Sequence, residues 1–324
     1  MAKHPGLPKA QKVILSKTFL LDKMREIDVC HGARERIMLL ENRLSTKIEG
    51  HILSMPQHTG RLREFNTSPY VVMIHTRKRG YSTIKELESD ILSAKEFSSM
   101  ETSAGRMIEE VLLPMYGWET VPSGMHTAYS AIDGKKSEPN LLHLATLKSG
   151  PRCLNDEMSE NFADAIINNF STWANDASVK SIDFTYGVLY GTKSQSNKKD
   201  WHILRNIKEK LPPECLIISP DNNWSCKFIK DGITVNVTVR VGSEWWEYLG
   251  GDTCLLELAT AMVRSCVTIS CNTHEVNHEY RISNLGEIVS MGTISKDYNV
   301  SLIQRPQIPW LFFFAQHFCD TLQN

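Results

Sequence analysis

The sequence predicts an α/β fold in which helices cover a mixed central β-sheet. Segments with helical periodicity alternate along the chain with short apolar or alternating segments that are typical of strands. The clearest strand is residues 141–147, an apolar run with turn-forming residues on both sides. With 324 residues, of which 41% are hydrophobic and 23% charged, the chain is long enough to bury a large core in one or two domains.

The helices and strands follow in an order that the local patterns suggest. Residues 8–50 predict two helices with a break at His31-Gly32, because apolar positions recur at helical spacing on both sides. Ser82 is expected to cap a helix that reaches residue 94, and Pro114 to end a separate helix that begins near residue 103. The later elements are a helix capped by Asn155 or Asp156, strands at 181–190, 215–219 and 234–241, and helices at 201–210 and 254–267.

This order suggests three parts. They are an N-terminal helical region over residues 1–60, a core over residues 61–270, and a C-terminal extension over residues 271–324 that packs on the core. The helical region and the aromatic run at residues 309–315 both carry enough apolar surface to contact either the core or a second subunit.

Composition limits the classes of partner. The formal net charge is −1, so the whole molecule offers no general attraction to a polyanion. A nucleic-acid partner would depend on local basic patches at residues 77–79, 135–136 and 198–199, each of which is equally typical of a solvated loop. The sequence has neither an apolar run of membrane-spanning length nor the apolar centre of a signal peptide, and its eight cysteines form no Cys-x-x-Cys pair. We therefore expect a cytoplasmic protein with reduced cysteines and no membrane partner.

One pair of charged residues indicates chemistry. Lys148 follows the apolar strand directly, which is an unusual place for a charge because a charge there must be solvated or paired. Asp133 lies fifteen residues earlier, after a short run at residues 129–132 that can pair with the strand as a hairpin. A carboxylate and a lysine at the same end of neighbouring strands predict a metal and phosphate site, although Asp133-Gly134 is also a common turn pair.

The residues around this pair resemble a known group of enzymes. An aspartate, a spacer and an apolar strand ending in x-x-Lys resemble the PD-(D/E)XK nuclease superfamily. The continuation Lys148-Ser-Gly-Pro-x-x-x-Asn155 resembles one group of its type II restriction endonucleases, which reads interrupted GG/CC targets with CCNGG or GGNCC cores. Further segments similar to that group occur in the expected order, so that the resemblance covers roughly residues 60–265. They are residues 66–70, 102–109, 113–117, 186–191 and 241–246.

The resemblance implies a restriction-endonuclease-like core over residues 61–270 and magnesium-dependent hydrolysis of double-stranded DNA at a short pseudopalindromic site. It implies that Asp133 and the carbonyl of Leu147 bind Mg²⁺, while Lys148 orients or deprotonates the attacking water. Glu109, four residues after a glycine on the preceding helix, is the further acidic residue that the resemblance indicates. It also implies a homodimer on DNA and a cognate DNA methyltransferase in the same system.

The sequence departs from the motif at one position. The pattern places an acid two residues before the lysine, where this chain has Thr146, whose hydroxyl is a poor magnesium ligand. Some relatives carry the acid on the following helix, and Glu160, twelve residues after Lys148, is then the candidate, with Glu157 as its competitor. The alternative is a catalytically inactive DNA-binding protein with the nuclease fold.

The remaining candidates concern DNA and zinc. Arg152 matches the arginine that related enzymes direct to guanine in the major groove, and bidentate arginine–guanine contacts are the commonest specific ones. His274-Glu275-Val-Asn-His278 fits the zinc-protease pattern, but its flanks lack a sustained apolar helix face, so a metalloprotease is the least favoured interpretation. The other residues that we expect to contact DNA are Lys135, Lys136, Asn155, Lys198, Lys199 and Arg205.

Overall fold

A seven-stranded mixed β-sheet forms the centre of the structure, a computed structural model that describes residues 10–54, 68–81, 83–122, 127–217, 224–267, 280–282, 284–295 and 298–324. In chain order the described strands are β1 (Ile14–Ser16), β2 (Glu119–Thr120), β3 (Gly134–Glu138), β4 (Leu141–Lys148), β5 (Ser181–Val188), β6 (Leu216–Ile217), β7 (Ser225–Lys230), β8 (Ile233–Val241) and β9 (Thr321–Gln323). The sheet has the order β2-β3-β4-β5-β8-β7-β6, whereas β1 and β9 pair with each other in parallel.

The direction of the strands makes the sheet mixed. Its three central strands, β4, β5 and β8, are parallel, and antiparallel pairs complete it on both sides. The prediction of an α/β fold with a mixed sheet flanked by helices is therefore confirmed. The described α-helices are α1 (Lys17–Val29), α2 (His31–Ser54), α3 (Pro69–Arg79), α4 (Ile84–Met115), α5 (Asp156–Ala177), α6 (Lys199–Lys210), α7 (Ser243–Gly250), α8 (Cys254–Cys266), α9 (Leu285–Met291) and α10 (Ile308–Ala315).

Each face of the sheet contributes to its own hydrophobic cluster. On one face, α5 and α6 pack on strand residues such as Leu144, Phe184 and Val237. On the other face, Ala145 and Leu147 join a larger cluster with residues of α1, α2, α7, α8, α10 and the end of α4. This larger cluster takes residues from all three predicted parts of the chain, and the division into those parts stays a prediction.

Helix α5 illustrates how the local sequence positions the element that follows the central strand. The Asn155 side chain accepts a hydrogen bond from Met158 N at 2.8 Å, as expected of an N-cap, and Ser178 ends the helix with a left-handed φ of 54°. Ile166, Phe170 and Trp173 form an apolar stripe along this helix, and all three are buried. The stripe packs on the sheet and holds the start of α5 beside the end of β4.

Several elements differ from those that the sequence predicts. Residues 84–115 form one continuous helix, which is capped by the side chain of Thr83. The polar stretch in its middle lacks apolar periodicity, so the sequence predicts two helices there. That stretch contains no residue that breaks a helix, and the helix therefore continues through it. Pro114 lies in its last turn rather than beyond its end. Residues 129–132 form turns, and the strand begins only at Gly134. Strand β7 and helix α7 had not been predicted.

Some sequence features fall outside the described residues. They include Ser82, the first two residues of the segment 66–70, and both His274 and His278. None of the described helices combines the length and apolar character needed to cross a membrane.

Candidate functional site

Asp133 and Lys148 meet at the end of β4 through the backbone of Leu147. Asp133 precedes β3 directly, and its backbone N–H donates to Ala145 O at 2.8 Å. Its carboxylate oxygen Oδ2 accepts a hydrogen bond from Leu147 N at 2.6 Å. Lys148, the last residue of β4, donates from Nζ to Leu147 O at 2.9 Å. The aspartate, carbonyl and lysine named from the sequence are thus adjacent in space.

Helix α4 adds Glu109 to these residues, and its packing explains why. Leu113 of α4 lies against Gly134, where an added Cβ would come within 2.9 Å of Leu113 Cδ1. Glu109 is one helical turn earlier on the same face, so its side chain is directed towards the neighbouring Asp133. Partial burial raises the pKa of Glu109 to about 7, and repulsion from Asp133 acts in the same direction, whereas Lys148 lowers it. We call Glu109, Asp133, Leu147 and Lys148 the Asp133 site.

An ion pair between a buried carboxylate and a partly exposed arginine fixes the end of α4. Glu257 of α8 is fully buried and accepts hydrogen bonds from Arg36 Nε at 2.8 Å and Arg36 Nη2 at 2.6 Å. Tyr116, the residue that ends α4, donates to the same carboxylate at 3.2 Å. Because an unpaired buried charge is costly, this arrangement strongly favours one position of α4, and hence of Glu109.

Thr146 has a different role from the acid that the motif places there. It is buried, and its hydroxyl donates a hydrogen bond to Ala131 O. This bond holds the turn that precedes Asp133. The threonine therefore supports the geometry of the site from the neighbouring strand position, without facing it as a ligand.

Glu160 does not join the Asp133 site in this structure. The Phe162 ring on α5 lies 5.6 Å from Lys148 Nζ, which identifies the side of the helix that faces the site. Glu160 is two residues earlier, about 160° away around the helix. It pairs instead with Lys210 at 3.0 Å, with its side chain 60% exposed. Glu157 is also exposed, so among the acidic residues weighed from the sequence Glu109 is the one that the fold brings to Asp133.

Arg152 lies on the loop after β4, which is joined to the loop after β5. Its Nε donates to Gln195 O at 3.1 Å, and the side chain is exposed. Asn197 Nδ2 donates to Leu154 O at 3.1 Å, a second link between the loops. The C-terminal segment supports the second loop, because Asp320 accepts a hydrogen bond from Thr192 at 2.9 Å. Arg152 is therefore held at the carboxyl end of the parallel strands, where ligands bind in open α/β sheets.

The other residues expected to contact DNA are engaged within the chain. Four of them form ion pairs with carboxylates, and Lys198 Nζ donates to the backbone oxygen of Lys193. Asn155 serves as the cap of α5. Exposed pairs of this kind contribute little to stability and can exchange partners, so they leave these predictions open. The pairs are Lys135–Glu119 (3.1 Å), Lys136–Glu138 (2.9 Å), Lys199–Asp156 (2.5 Å) and Arg205–Glu209 (3.5 Å).

Glycines in the segments that carry the resemblance converge next to the site. Gly187 on β5 packs against Leu147, with an added Cβ only 2.7 Å from Leu147 Cδ2. Gly242, which follows β8, has a φ of 59°, and an added Cβ would lie 2.1 Å from Gly191 O. Only residues without a side chain allow the ends of β5 and β8 to approach this closely.

A cleft beside the Asp133 site was not found from the sequence. Its volume is about 650 Å³, and it opens between α4, the ends of β4 and β5, and the C-terminal helix. Its lining comes from distant segments that no single sequence pattern connects. The lining includes Gly105, Ile108, Ser149, Tyr190, Phe313 and His317.

The donor set of the Asp133 site fits a hard divalent cation. Two carboxylates, of Asp133 and Glu109, and the Leu147 carbonyl oxygen are the kind of ligands that Mg²⁺ uses together with water and phosphate. A cation would also neutralise the negative charges of the half-buried Glu109 carboxylate and of Asp133 beside it. Among the described residues no group of three or more His, Cys, Asp and Glu side chains forms a ready metal site.

Comparisons with protein-family models and with curated proteins found no match for this chain.

Proposed function

We propose that the chain is a magnesium-dependent endonuclease that hydrolyses phosphodiester bonds of double-stranded DNA. The observation that supports this most is the meeting of Glu109, Asp133, Leu147 and Lys148 at the carboxyl end of β4. These residues come from three separate elements, α4, the start of β3 and the end of β4. Two carboxylates with a lysine form a set suited to holding a cation and placing a positive charge near a phosphate.

The protein groups would divide the chemistry between them. Asp133, Glu109 and the Leu147 carbonyl would hold Mg²⁺, which, when bound, stabilises negative charge that develops on the phosphate. Lys148 would orient or deprotonate the attacking water. Its present hydrogen bond to Leu147 O keeps its ammonium group at the site, and the Phe162 ring shields its other side.

The finer features of the proposal follow from the same resemblance. The core belongs to the restriction-endonuclease-like group, and the target is a short pseudopalindromic site with GG/CC content. Arg152 would contact guanine from the loop after β4, with its side chain directed by the bond to Gln195 O. A target with two-fold symmetry calls for two chains, and a cognate methyltransferase would protect the host DNA.

Plasmid cleavage tests the proposal. The wild-type protein is expected to cut plasmid DNA in Mg²⁺ but not in EDTA, and Asp133→Ala and Lys148→Ala to abolish cutting while DNA binding in Ca²⁺ remains. The reason is that these groups act on charge that develops during the reaction rather than on the bound duplex. Lys210→Ala, which removes a lysine on α6 that pairs with Glu160, is the control and should cut normally. If Lys148→Ala cuts at the wild-type rate, the site is misplaced.

The second candidate is a DNA-binding protein that has lost catalysis, and Thr146 favours it. A buried threonine bonded to Ala131 O stands where the motif has an acid. The same plasmid assay separates the two: specific DNA binding without cleavage in Mg²⁺ or Mn²⁺ would support the inactive protein and reject the enzyme.

A further inference from the structure

One region lacks the interior contacts that stabilise the rest of the fold. We call α3 together with the first half of α4, residues 69–101, the arm. Among the described side chains of residues 45–110 none is buried, although Leu44 and Val111 on either side lie in the hydrophobic core. Helix α4 has 32 residues, a length of about 48 Å, and only its last turns enter the core.

Helix α3 presents its apolar side to solvent. Tyr70, Met73 and Ile74 follow the i, i+3, i+4 spacing of one helix face and are 79%, 67% and 69% exposed. The opposite side carries Val72 together with His75 and Thr76, and His75 Nε2 lies 3.3 Å from Asp90 Oδ2 on α4. Tyr81 also donates to Asp90, and this bond, helped by His75 and Arg79, lowers the pKa of Asp90. The apolar side chains of α3 therefore face solvent, whereas a helix that packs on the core of its own chain buries them.

The exposed apolar surface of the arm has the size of a protein interface. Four more large side chains extend it. Seven large apolar side chains, each exposed by 40% or more of its area, present on the order of 700 Å² in total, divided between α3 and different sides of α4. A standard interface buries about 800 Å² per partner, so an interface of this size would have to include both helices. The four further side chains are Val71, Ile84, Phe97 and Met100.

The charges of the arm indicate what covers it. The last turn of α3 is basic, with Arg77, Lys78 and Arg79, of which Arg79 already pairs with Asp90 of the same chain at 3.3 Å. Along residues 84–101, α4 carries five acidic residues against two lysines. A surface with a basic half and an acidic half complements a second copy of itself after a two-fold rotation. DNA is a poorer match, because its phosphates require a continuous basic surface and gain nothing from an apolar stripe.

We infer that the arm is the interface of a homodimer, in which α3 of one chain packs on the first half of α4 of its partner. Tyr70, Met73 and Ile74 form its apolar centre, and the basic end of α3 faces the acidic side of the partner's helix. Neither the N-terminal helical pair nor the run at residues 309–315, both considered from the sequence, is required, since their main apolar residues lie in the core of the same chain. The proposed function already calls for two chains, and the inference deepens it by naming the surface through which they meet, although it is argued from the arm and not from the nuclease chemistry.

Sedimentation equilibrium without DNA or metal tests this interface. Wild-type protein at micromolar concentration is expected to sediment as two chains, and the double variant Met73→Glu, Ile74→Glu as one, with a dissociation constant raised at least about a hundred-fold. Phe97→Glu, on the other helix, should also weaken the dimer. Val29→Glu changes an equally exposed residue on α1 and is the control, for which the dimer should persist.

Two results would overturn the inference. A wild-type protein that sediments as a single chain overturns the inference. So does a dimer that survives both the double variant and Phe97→Glu. Circular dichroism must show unchanged helix content, and a double variant that loses its fold is replaced by Phe97→Glu as the deciding measurement. Lys148→Ala is expected to remain a dimer. A dimer without nuclease activity would therefore reject the proposed function but not the interface, and nuclease activity without this dimer would reject the interface but not the proposed function.

Discussion

The Asp133 site and the arm use similar sequence patterns with opposite results. In the site, apolar residues at β4 and α4 are buried, and each polar group at the strand end is held by a neighbour, as Leu147 holds Asp133. In the arm, the apolar side chains Tyr70, Met73 and Ile74 remain exposed, while His75 on the other side of α3 contacts α4. The comparison shows that periodicity reports which residues share a face, but only tertiary contacts decide which face is covered.

The largest effect, on the cleavage rate, is expected from substituting the two glutamates that could replace the missing acid of the motif. Glu109→Gln should reduce the cleavage rate in Mg²⁺ on the order of a thousand-fold, because Glu109 is the acid that the fold places beside Asp133 and Lys148. Glu160→Gln, which breaks only a surface pair with Lys210, should retain near wild-type activity. Single-turnover cleavage of a DNA duplex measures both. The opposite pattern would show that Glu160 supplies the missing acid, as the sequence predicts.

The positions of these two glutamates show how much of the site can be predicted from the sequence alone. The strand that ends at Lys148, Asp133 beside it, the cap at Asn155 and the buried stripe of α5 all follow from local patterns and were predictable. The place of Glu160 was not, because local periodicity does not show that its side chain pairs with Lys210 of α6 and does not reach Asp133.

The predictions that failed also have physical reasons. The strand predicted over residues 129–132 is a turn held by the bond from Thr146 to Ala131 O, a contact between residues fifteen positions apart. The helix predicted to stop near residue 94 continues, since polar residues without glycine or proline do not end a helix. The orientation of the arm could not be foreseen, because α3 carries apolar residues on both sides and has no distinct face that the pattern assigns to the core.

A large loss of stability is expected from Gly242→Ala. The new methyl group would meet Gly191 O, and the left-handed φ of 59° adds strain for any residue with a side chain. We expect a loss of about 3 kcal/mol in the free energy of unfolding, measured with urea. Gly251→Ala is the control: its φ of 84° carries similar strain, but nothing lies within 4 Å of an added Cβ. Equal losses in the two variants would show that the close approach at Gly242 does not matter.

A moderate effect is expected at the opposite end of the strands from the Asp133 site. Asp183 accepts hydrogen bonds from Tyr248 OH and Asn236 Nδ2, both at 2.7 Å. Burial alone would raise its pKa, but hydrogen bonds from His143, Tyr248 and Asn236 and the charge of Arg240 lower it to about 2. Asp183→Asn should therefore cost about 2 kcal/mol at neutral pH.

The dependence of this effect on pH gives a sharper measurement. Because the pKa of Asp183 is lower in the folded state than the ordinary value of 3.8, its contribution is present above about pH 4 and is lost as the pH falls towards 2. The difference in unfolding free energy between the wild type and Asp183→Asn should shrink over that range. A difference that stays constant from pH 7 to pH 3 would contradict the lowered pKa.

The smallest effect is expected in the arm, and it separates stability of the chain from association. Ile74→Ser removes an exposed side chain, so at protein concentrations low enough to separate the chains it should change the unfolding free energy by less than about 0.5 kcal/mol. At high concentration the wild-type melting temperature should rise with protein concentration, because dimerisation stabilises the folded state, and the rise should be smaller for the variant. The same substitution in a covered stripe, Ile166→Ser on α5, should cost several kcal/mol at every concentration. A large loss for Ile74→Ser at low concentration would mean that the stripe is already covered within one chain, and the contrast between the arm and the Asp133 site would disappear.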